Sequence, residues 1–432
     1  MRGRADALVR SRPGHHLSFL RFGRDMHLIV ISLVLANIGT RVEERFFPLY
    51  VRDLGGSPAD IGLLASIMGL VMVLLAPLGG WLTDRYRRVT LYALAPLIGA
   101  AGAMLMRLAP SWEWLIPGSV LGMMPGLLVG PALFGLVSDL GPEESRGARF
   151  AYEMAAFGVC GAVGPFVGGL VYEHLGYRTF LLMQAGMLCL AAAVRSFIRD
   201  PRDAARRASG YRHPAFLPGL KAALGFMFAS RQFRLVIIVA CLVGFGIAAT
   251  MSFFSVFMSE VVGVDETDMG LVYSLAGVAG IAASLAGGVA ADRFGRKPVL
   301  VSSLVGMAAV LFWFTGARTL ASLSMVWLLS GLANNLGGPA IDAFLADLTD
   351  ADSRGTVMSV FNSLQSVVLL PGPLVGGFLW EAVAPAAPFW FGGAAILVGA
   401  AILALWVRET RVARDPGDAP RSPRESSPSS RP

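Results

Sequence analysis

Stretches of about 20 predominantly apolar residues alternate along the chain with short polar breaks. Twelve such stretches can be counted, each long enough to cross a hydrocarbon core of about 30 Å as a helix. The pattern predicts helices over Met26 to Tyr50, Pro58 to Thr83, Thr90 to Leu108, Ile116 to Leu140, Gly147 to Tyr172 and Thr179 to Phe197. A second series covers Leu235 to Val261, Met269 to Ala291, Val299 to Gly316, Ser322 to Leu348 and Thr356 to Trp380, and a last helix closes near Val407. The chain then divides into a basic tail (1–25), a six-helix bundle (26–198), a polar basic linker (199–234), a second bundle (235–408) and a tail rich in Pro, Ser and Arg (409–432). Composition predicts disorder for that last tail. The first apolar stretch is too long for a removable signal peptide and lacks a small-residue cleavage site.

The two series are related by an internal repeat. Between the second and third stretches lies Gly80-Trp-Leu-Thr-Asp84-Arg85-Tyr-Arg87-Arg88, and between the eighth and ninth lies Gly288-Val-Ala-Ala-Asp292-Arg293-Phe-Gly295-Arg296-Lys297. The two aspartates stand 208 positions apart (292 − 84). The same offset maps Gly55 on Gly263, Gly62 on Gly270, Asp139 on Asp347, Arg146 on Arg354 and Glu173 on Glu381. It also carries Gly164-Pro165-x-x-Gly168-Gly169 onto Gly372-Pro373-x-x-Gly376-Gly377. A duplicated six-helix unit, its halves related by an axis along the membrane normal, produces such a register. Gly and Pro dominate the matches, which suits close helix packing and helix breaks.

The two polar loops resemble the G-x-L-A-D-R-x-G-R-[KR] signature of the major facilitator superfamily, and Gly-Pro-x-x-Gly-Gly in the fifth stretch resembles the end of its fifth-helix antiporter motif, although its repetition in the eleventh stretch reads mainly as packing between moving bundles. The resemblance covers roughly residues 26 to 408. It implies an all-α integral membrane fold of twelve transmembrane helices, arranged as two pseudo-symmetric six-helix bundles that work by alternating access. It also implies a cytoplasmic latch. Asp84 would meet the start of the eleventh helix near Arg354, and Asp292 the start of the fifth near Arg146, where free N–H groups favour a carboxylate. Arg85 and Arg293 would pair with Asp139 and Asp347, while Gly80, Arg88, Gly288, Gly295 and Arg296 complete the loops. The first copy departs from the signature, with Arg87 where the second has Gly295 and Val89 where it has Lys297, which predicts a less tight turn. The fourth stretch lacks the Arg that drug–proton antiporters often carry there.

Composition strengthens the membrane reading. Of 432 residues, 55% are hydrophobic and 15% charged, against roughly 25% charged in ordinary globular proteins. The net charge of +7 does not point to nucleic acid, because it is sided. Loops on one side hold only Arg52, Arg107, Arg178 and Arg318 as basic residues, while the other side collects both tails, the linker and both signature loops. That asymmetry predicts a multi-pass plasma-membrane protein with cytoplasmic termini. Cys160, Cys189 and Cys241 fall within apolar stretches without metal-ligand spacing and read as packed thiols. No Gly-Lys-Ser/Thr phosphate loop occurs, and no nucleophile–base pair or metal cluster stands at membrane depth. ATP drive, enzymatic activity, a cofactor and a bound metal are therefore not expected.

Charge inside the apolar stretches marks the candidate chemistry. Asn37, Arg41 and Glu44 lie at i, i+4 and i+7 on one face of the first helix, with Glu43 and Arg45 flanking it and Pro48 placed to kink the helix beyond. Each charge costs about 2.5–3.5 kcal/mol at mid-bilayer. The cluster therefore lines a cavity for substrate or protons, or it forms an Arg41–Glu44 pair that only pins the helix near the interface. Glu153 in the fifth helix is either an interior carboxylate or a partner of Arg149. The tenth helix offers Asn334, Asn335 and Asp342, and the eleventh Asn362 and Gln365. These residues fit a secondary transporter, a monomer by expectation, whose partners are a small-molecule substrate, protons and the lipid bilayer. By resemblance protons drive it, with Glu44, Glu43, Glu153 and Asp342 as candidate carriers. An apolar interior with few fixed polar groups suits an amphiphilic, drug-like cargo moved outward. The competing reading is proton-coupled uptake of a small organic solute such as a sugar or metabolite.

Overall fold

A computed structural model describes residues 22–140, 145–199, 225, 227–347, 349 and 354–407. Among them α-helix dominates and no strand occurs. The first six helices are α1 (Arg24–Asp53), α2 (Pro58–Arg85), α3 (Arg88–Arg107), α4 (Leu115–Asp139), α5 (Arg146–Leu175) and α6 (Tyr177–Ser196). After the linker come α7 (Arg231–Met251), α8 (Glu266–Phe294), α9 (Arg296–Gly316), α10 (Leu320–Asp347), α11 (Arg354–Leu369, resuming as Gly372–Ala382) and α12 (Ala387–Trp406). Ten of these segments are long and apolar enough to cross a membrane, and α8 and α10, of 29 and 28 residues, complete the series. Large apolar side chains such as Leu74, Phe378 and Leu405 remain exposed, as a surface bathed in lipid requires. Most of the tails and the linker lies outside the described residues.

Local chemistry starts and stops several helices. Ser57 and Asp60 form a reciprocal capping box at the head of α2, with Pro58 at its first position. Gly55 and Gly263, related by the repeat, both turn with positive φ (84° and 79°) ahead of α2 and α8. The two signature loops differ as their sequences predict. Gly295 turns at φ 95°, whereas Arg87, which carries a Cβ, sits at φ −62° and the chain turns through extended Tyr86 instead.

Two predicted helices are broken. The seventh does not run unbroken over Leu235 to Val261. It stops at Met251, resumes as Phe254–Phe257 and ends in a π-helical turn, Met258–Val262. Phe254 there packs against Trp327 (ring centroids 4.9 Å apart), Phe314 and Phe389 (both 5.1 Å). The eleventh breaks at Leu370-Pro371, while α5 passes unbroken through its equivalent region and Pro165. The difference is a second proline. Pro371 stands where α5 has Val163 (371 − 208), and it removes an N–H and biases Leu370 away from helical geometry. α1 runs through Pro48 without interruption.

Within the first half α1 packs on α5 and α6, α3 on α4 and α6, and α2 on α4. In the second half α7 packs on α11 and α12, α9 on α10 and α12, and α8 on α10. The halves meet along α5 with α8 and α2 with α11. Here the repeat glycines have a direct structural use. The α-carbon of Gly62 abuts the Pro373 carbonyl, and that of Gly270 abuts the Pro165 carbonyl, its repeat equivalent. Gly377 meets the Pro58 carbonyl and Gly169 that of Glu266, again an equivalent pair. A side chain at any of these positions would force the two backbones apart.

Candidate functional site

The charges of α1 part company in three dimensions. Arg41 Nη1 donates to Glu44 Oε2 at 2.9 Å, with both side chains partly exposed (38% and 48%). Glu43 turns the other way, into the first half, where Gln184 Nε2 of α6 donates to its Oε2 at 2.7 Å. Asn37 gives its amide N–H to the Leu33 carbonyl at 2.9 Å, a bond within its own helix. Arg45, at the flank in sequence, crosses between the halves. Its guanidinium carbon lies 4.9 Å from the Tyr273 ring centroid on α8 and 5.7 Å from that of Trp327 on α10.

Arg41 and Arg45 line a cavity of about 200 Å³ between the halves. Phe157, Phe254, Tyr273 and Trp327 supply aromatic walls, and Thr250, Ser330, Asn334 and Asn335 add polar groups. The Asn335 amide N–H is satisfied by the Gly331 carbonyl at 2.9 Å, and its oxygen accepts from Ser284 Oγ at 3.4 Å. The side chain of Asp342 lies outside the described residues. On α11, Gln365 Nε2 donates to the Ala240 carbonyl of α7 at 3.2 Å, and Asn362 is exposed. Neither lines this cavity.

Glu153 is buried (6% exposed), and one of its carboxylate oxygens has no hydrogen-bond partner among the described residues. Arg149 does not pair with it. That guanidinium instead closes the end of α4, donating to the carbonyls of Val137 (2.8 Å) and Ser138 (3.2 Å) and to Ser145 Oγ (2.7 Å). Four orphan carbonyls end every helix, and a cation there satisfies them. Arg195 of α6, which the sequence does not single out, is also buried (2% exposed). It stacks 3.9 Å from the Tyr92 ring centroid and donates to the Tyr92 carbonyl (3.0 Å) and Ser32 Oγ (3.3 Å). The three cysteines are free: Cys160 is buried, Cys241 half-buried and Cys189 exposed.

At the signature loops the ion pair on Asp139 comes from Arg88 (3.6 Å) and not from Arg85. Arg88 opens α3, which packs on α4, and the missing side chain of Gly135 lets its guanidinium lie across α4 one turn short of Asp139. Arg85 ends α2 and lies 5.5 Å from the Trp81 ring centroid. Arg293 similarly lies over Phe294 (5.5 Å) and Arg146 over Phe134 (5.8 Å). Arg296 opens α9. The side chains of Asp84, Asp292, Asp347 and Arg354, and the surroundings of Gly80 and Gly288, lie outside the described residues.

The end of the bundle remote from both Arg24 and Trp406, here the distal end, is shut. Arg52 Nε donates to Glu260 Oε1 at 2.5 Å across 208 positions, so each residue pairs with its own repeat equivalent. Glu381 Oε1 accepts the N–H of Ala59 (2.9 Å), and Glu173 Oε2 that of Thr267 (3.1 Å). The Phe166 N–H, beside Pro165, donates to Ser274 Oγ at 3.1 Å. Tyr172 donates to Asp53 Oδ2 at 2.6 Å within the first half.

The family model of the Major Facilitator Superfamily matches residues 29–285 and 236–430. The chain is 22% identical over 388 residues to quinolone resistance protein NorA of Staphylococcus aureus (strain COL), covering 88% of this chain and 96% of that protein. It is 21% identical over 384 residues to multidrug resistance protein 2 of Bacillus subtilis (strain 168), covering 88% and 94%. Among solved structures, the nucleoside transporter NupG aligns with a TM-score of 0.72 at 15% identity, over 88% of this chain and 99% of its own. The D-xylose–proton symporter aligns at 0.64 and 16% identity, over 89% and 98%. Repeated halves, broken helices and a cavity at their junction are thus joined by a match over most of the chain, which belongs to the Major Facilitator Superfamily of membrane transporters.

Proposed function

We propose that this transporter exports a small amphiphilic organic molecule by alternating access, driven by the proton gradient. The cavity between the halves supports the reading most directly: aromatic walls beside polar side chains and two guanidiniums from α1 suit an aromatic amphiphile better than a densely hydroxylated solute. Similarity to NorA and multidrug resistance protein 2 supports export of drug-like cargo. The distal end is taken as the outer face of the plasma membrane, with both termini cytoplasmic, because the basic residues gather at the other end. In this assignment the shut distal end belongs to the state that loads from the cytoplasm. The signature loops, with Asp84 and Asp292 at opposing helix N-termini, latch the inner end in the alternate state.

Of the four candidate proton carriers, Glu153 is supported by burial without an ionic partner, and Glu43 by its partly buried place against Gln184, a neutral partner. Glu44 is engaged by Arg41. The direction is tested in intact cells loaded with a fluorescent aromatic amphiphile while de-energised, then re-energised. Loss of the probe that stops with a protonophore is expected. Energy-dependent accumulation would overturn export in favour of symport.

A further inference from the structure

We infer that Arg45 with Trp327 forms an oxyanion-accepting subsite, so that the cargo is an aromatic amphiphile carrying a carboxylate or comparable acidic group. This rests on the reading of the cavity as the cargo site. Among the described lining residues the ionic charge is two guanidiniums and no carboxylate. Arg41 is offset by Glu44, which does not line the cavity. Arg45 makes no ion pair and no hydrogen bond among the described residues. Its neighbours are the rings of Tyr273 and Trp327, which hold the cation by π contact and take none of its N–H donors as an acceptor would. Those donors form a fork that matches a carboxylate in two parallel bonds. A point cation on a lysine would lack that fit.

A second, independent observation sits in the same wall. Trp327 is 5% exposed, lines the cavity, and its buried indole N–H has no acceptor among the described residues. A buried donor without a partner is costly, and a ligand oxygen relieves it. Arg45 comes from the first half and Tyr273 and Trp327 from the second, so an oxyanion held there would touch both halves. The surrounding rings of Phe157 and Phe254 provide the apolar surface for the rest of the cargo.

The test measures equilibrium binding of three probes with one aromatic body, naphthylacetate, its amide and the matching amine, to the purified full chain in detergent. The acid is expected to bind at least about tenfold more tightly than the amide or amine. Arg45→Gln is expected to remove that preference while leaving amide binding within about twofold, and Arg45→Lys to restore only part of it. Trp327→Phe keeps the ring and removes the N–H, so it is expected to weaken the acid severalfold and the amide less, because the bond to a carboxylate is the stronger; it also serves if Arg45→Gln fails to fold. Equal binding of all three probes would overturn the oxyanion subsite alone, as would Arg45→Gln losing all three in parallel. Binding of none would overturn the cargo reading of the cavity together with it.

Discussion

Glu381, at the end of α11, accepts the backbone N–H of Ala59 in the first turn of α2 at 2.9 Å. The repeat reproduces the contact: Glu173 and Thr267 are the equivalents of the other pair's Glu381 (381 − 208) and Ala59 (59 + 208), and they bond at 3.1 Å. In each case the carboxylate of one half meets the unsatisfied N–H groups and positive dipole end of a helix in the other. The contact therefore exists only while the distal end is shut, so it biases the alternating-access equilibrium rather than the fold of either half.

Removing both carboxylates should open the distal end. Both carboxylates are exposed, so solvent screens the helix-dipole attraction, and Glu173→Gln with Glu381→Gln should shift the equilibrium toward the open state only modestly. Spin labels at exposed Leu108 and Val383, one on each half, would report a larger long-distance population. An unchanged distance distribution would contradict the assignment.

The glycine contacts should be far less forgiving. Gly62→Val places branched carbon against the Pro373 carbonyl and should prevent distal closure, reducing transport by more than tenfold while the protein still inserts and purifies. Gly126→Ala is the control, since an added methyl there meets nothing described within 4 Å. Equal activity of the two variants would show that the α2–α11 approach is not needed in the cycle.

Arg195 bears on stability rather than transport direction. Its stacking on Tyr92 and two charged hydrogen bonds are all buried. Arg195→Ala should destabilise the first half by roughly 2–4 kcal/mol, read as a clear fall in melting temperature in detergent. A melting temperature within a degree of the parent would show these contacts to be idle.

Glu153→Gln should separate coupling from carriage. If Glu153 carries the proton, the variant loses gradient-driven transport yet keeps substrate exchange at equal concentrations, with a rate that no longer depends on pH. Glu44→Gln, which only frees Arg41 from an exposed ion pair, should retain driven transport, since such pairs contribute about 0–1 kcal/mol. The opposite pattern would move the carrier to α1.

Much of the architecture was legible because it follows from one-dimensional regularities. Apolar run length predicts the spans and the 208-residue offset predicts their duplication, but the break of α11 at Pro371 is not predicted, because the run of apolar residues continues through it. The site was legible only in part. Helical spacing places Asn37, Arg41 and Glu44 on one face but says nothing of what stands opposite. Gln184, 141 positions away, draws Glu43 inward, and Tyr273 and Trp327 draw the flanking Arg45 into the cavity. Those two aromatics are indistinguishable in sequence from ordinary packing residues. Arg195 draws no notice in the sequence, since nothing there shows that Ser32 of α1 and the Tyr92 ring and carbonyl of α3 meet it.

The most direct test of proton-driven export through this cavity is accumulation of a fluorescent aromatic acid in everted membrane vesicles made acid inside, parent against Trp327→Ala. Accumulation is expected to collapse with the gradient and to fall at least about tenfold in the variant. Accumulation that is indifferent to the gradient, or equal in parent and variant, would contradict it.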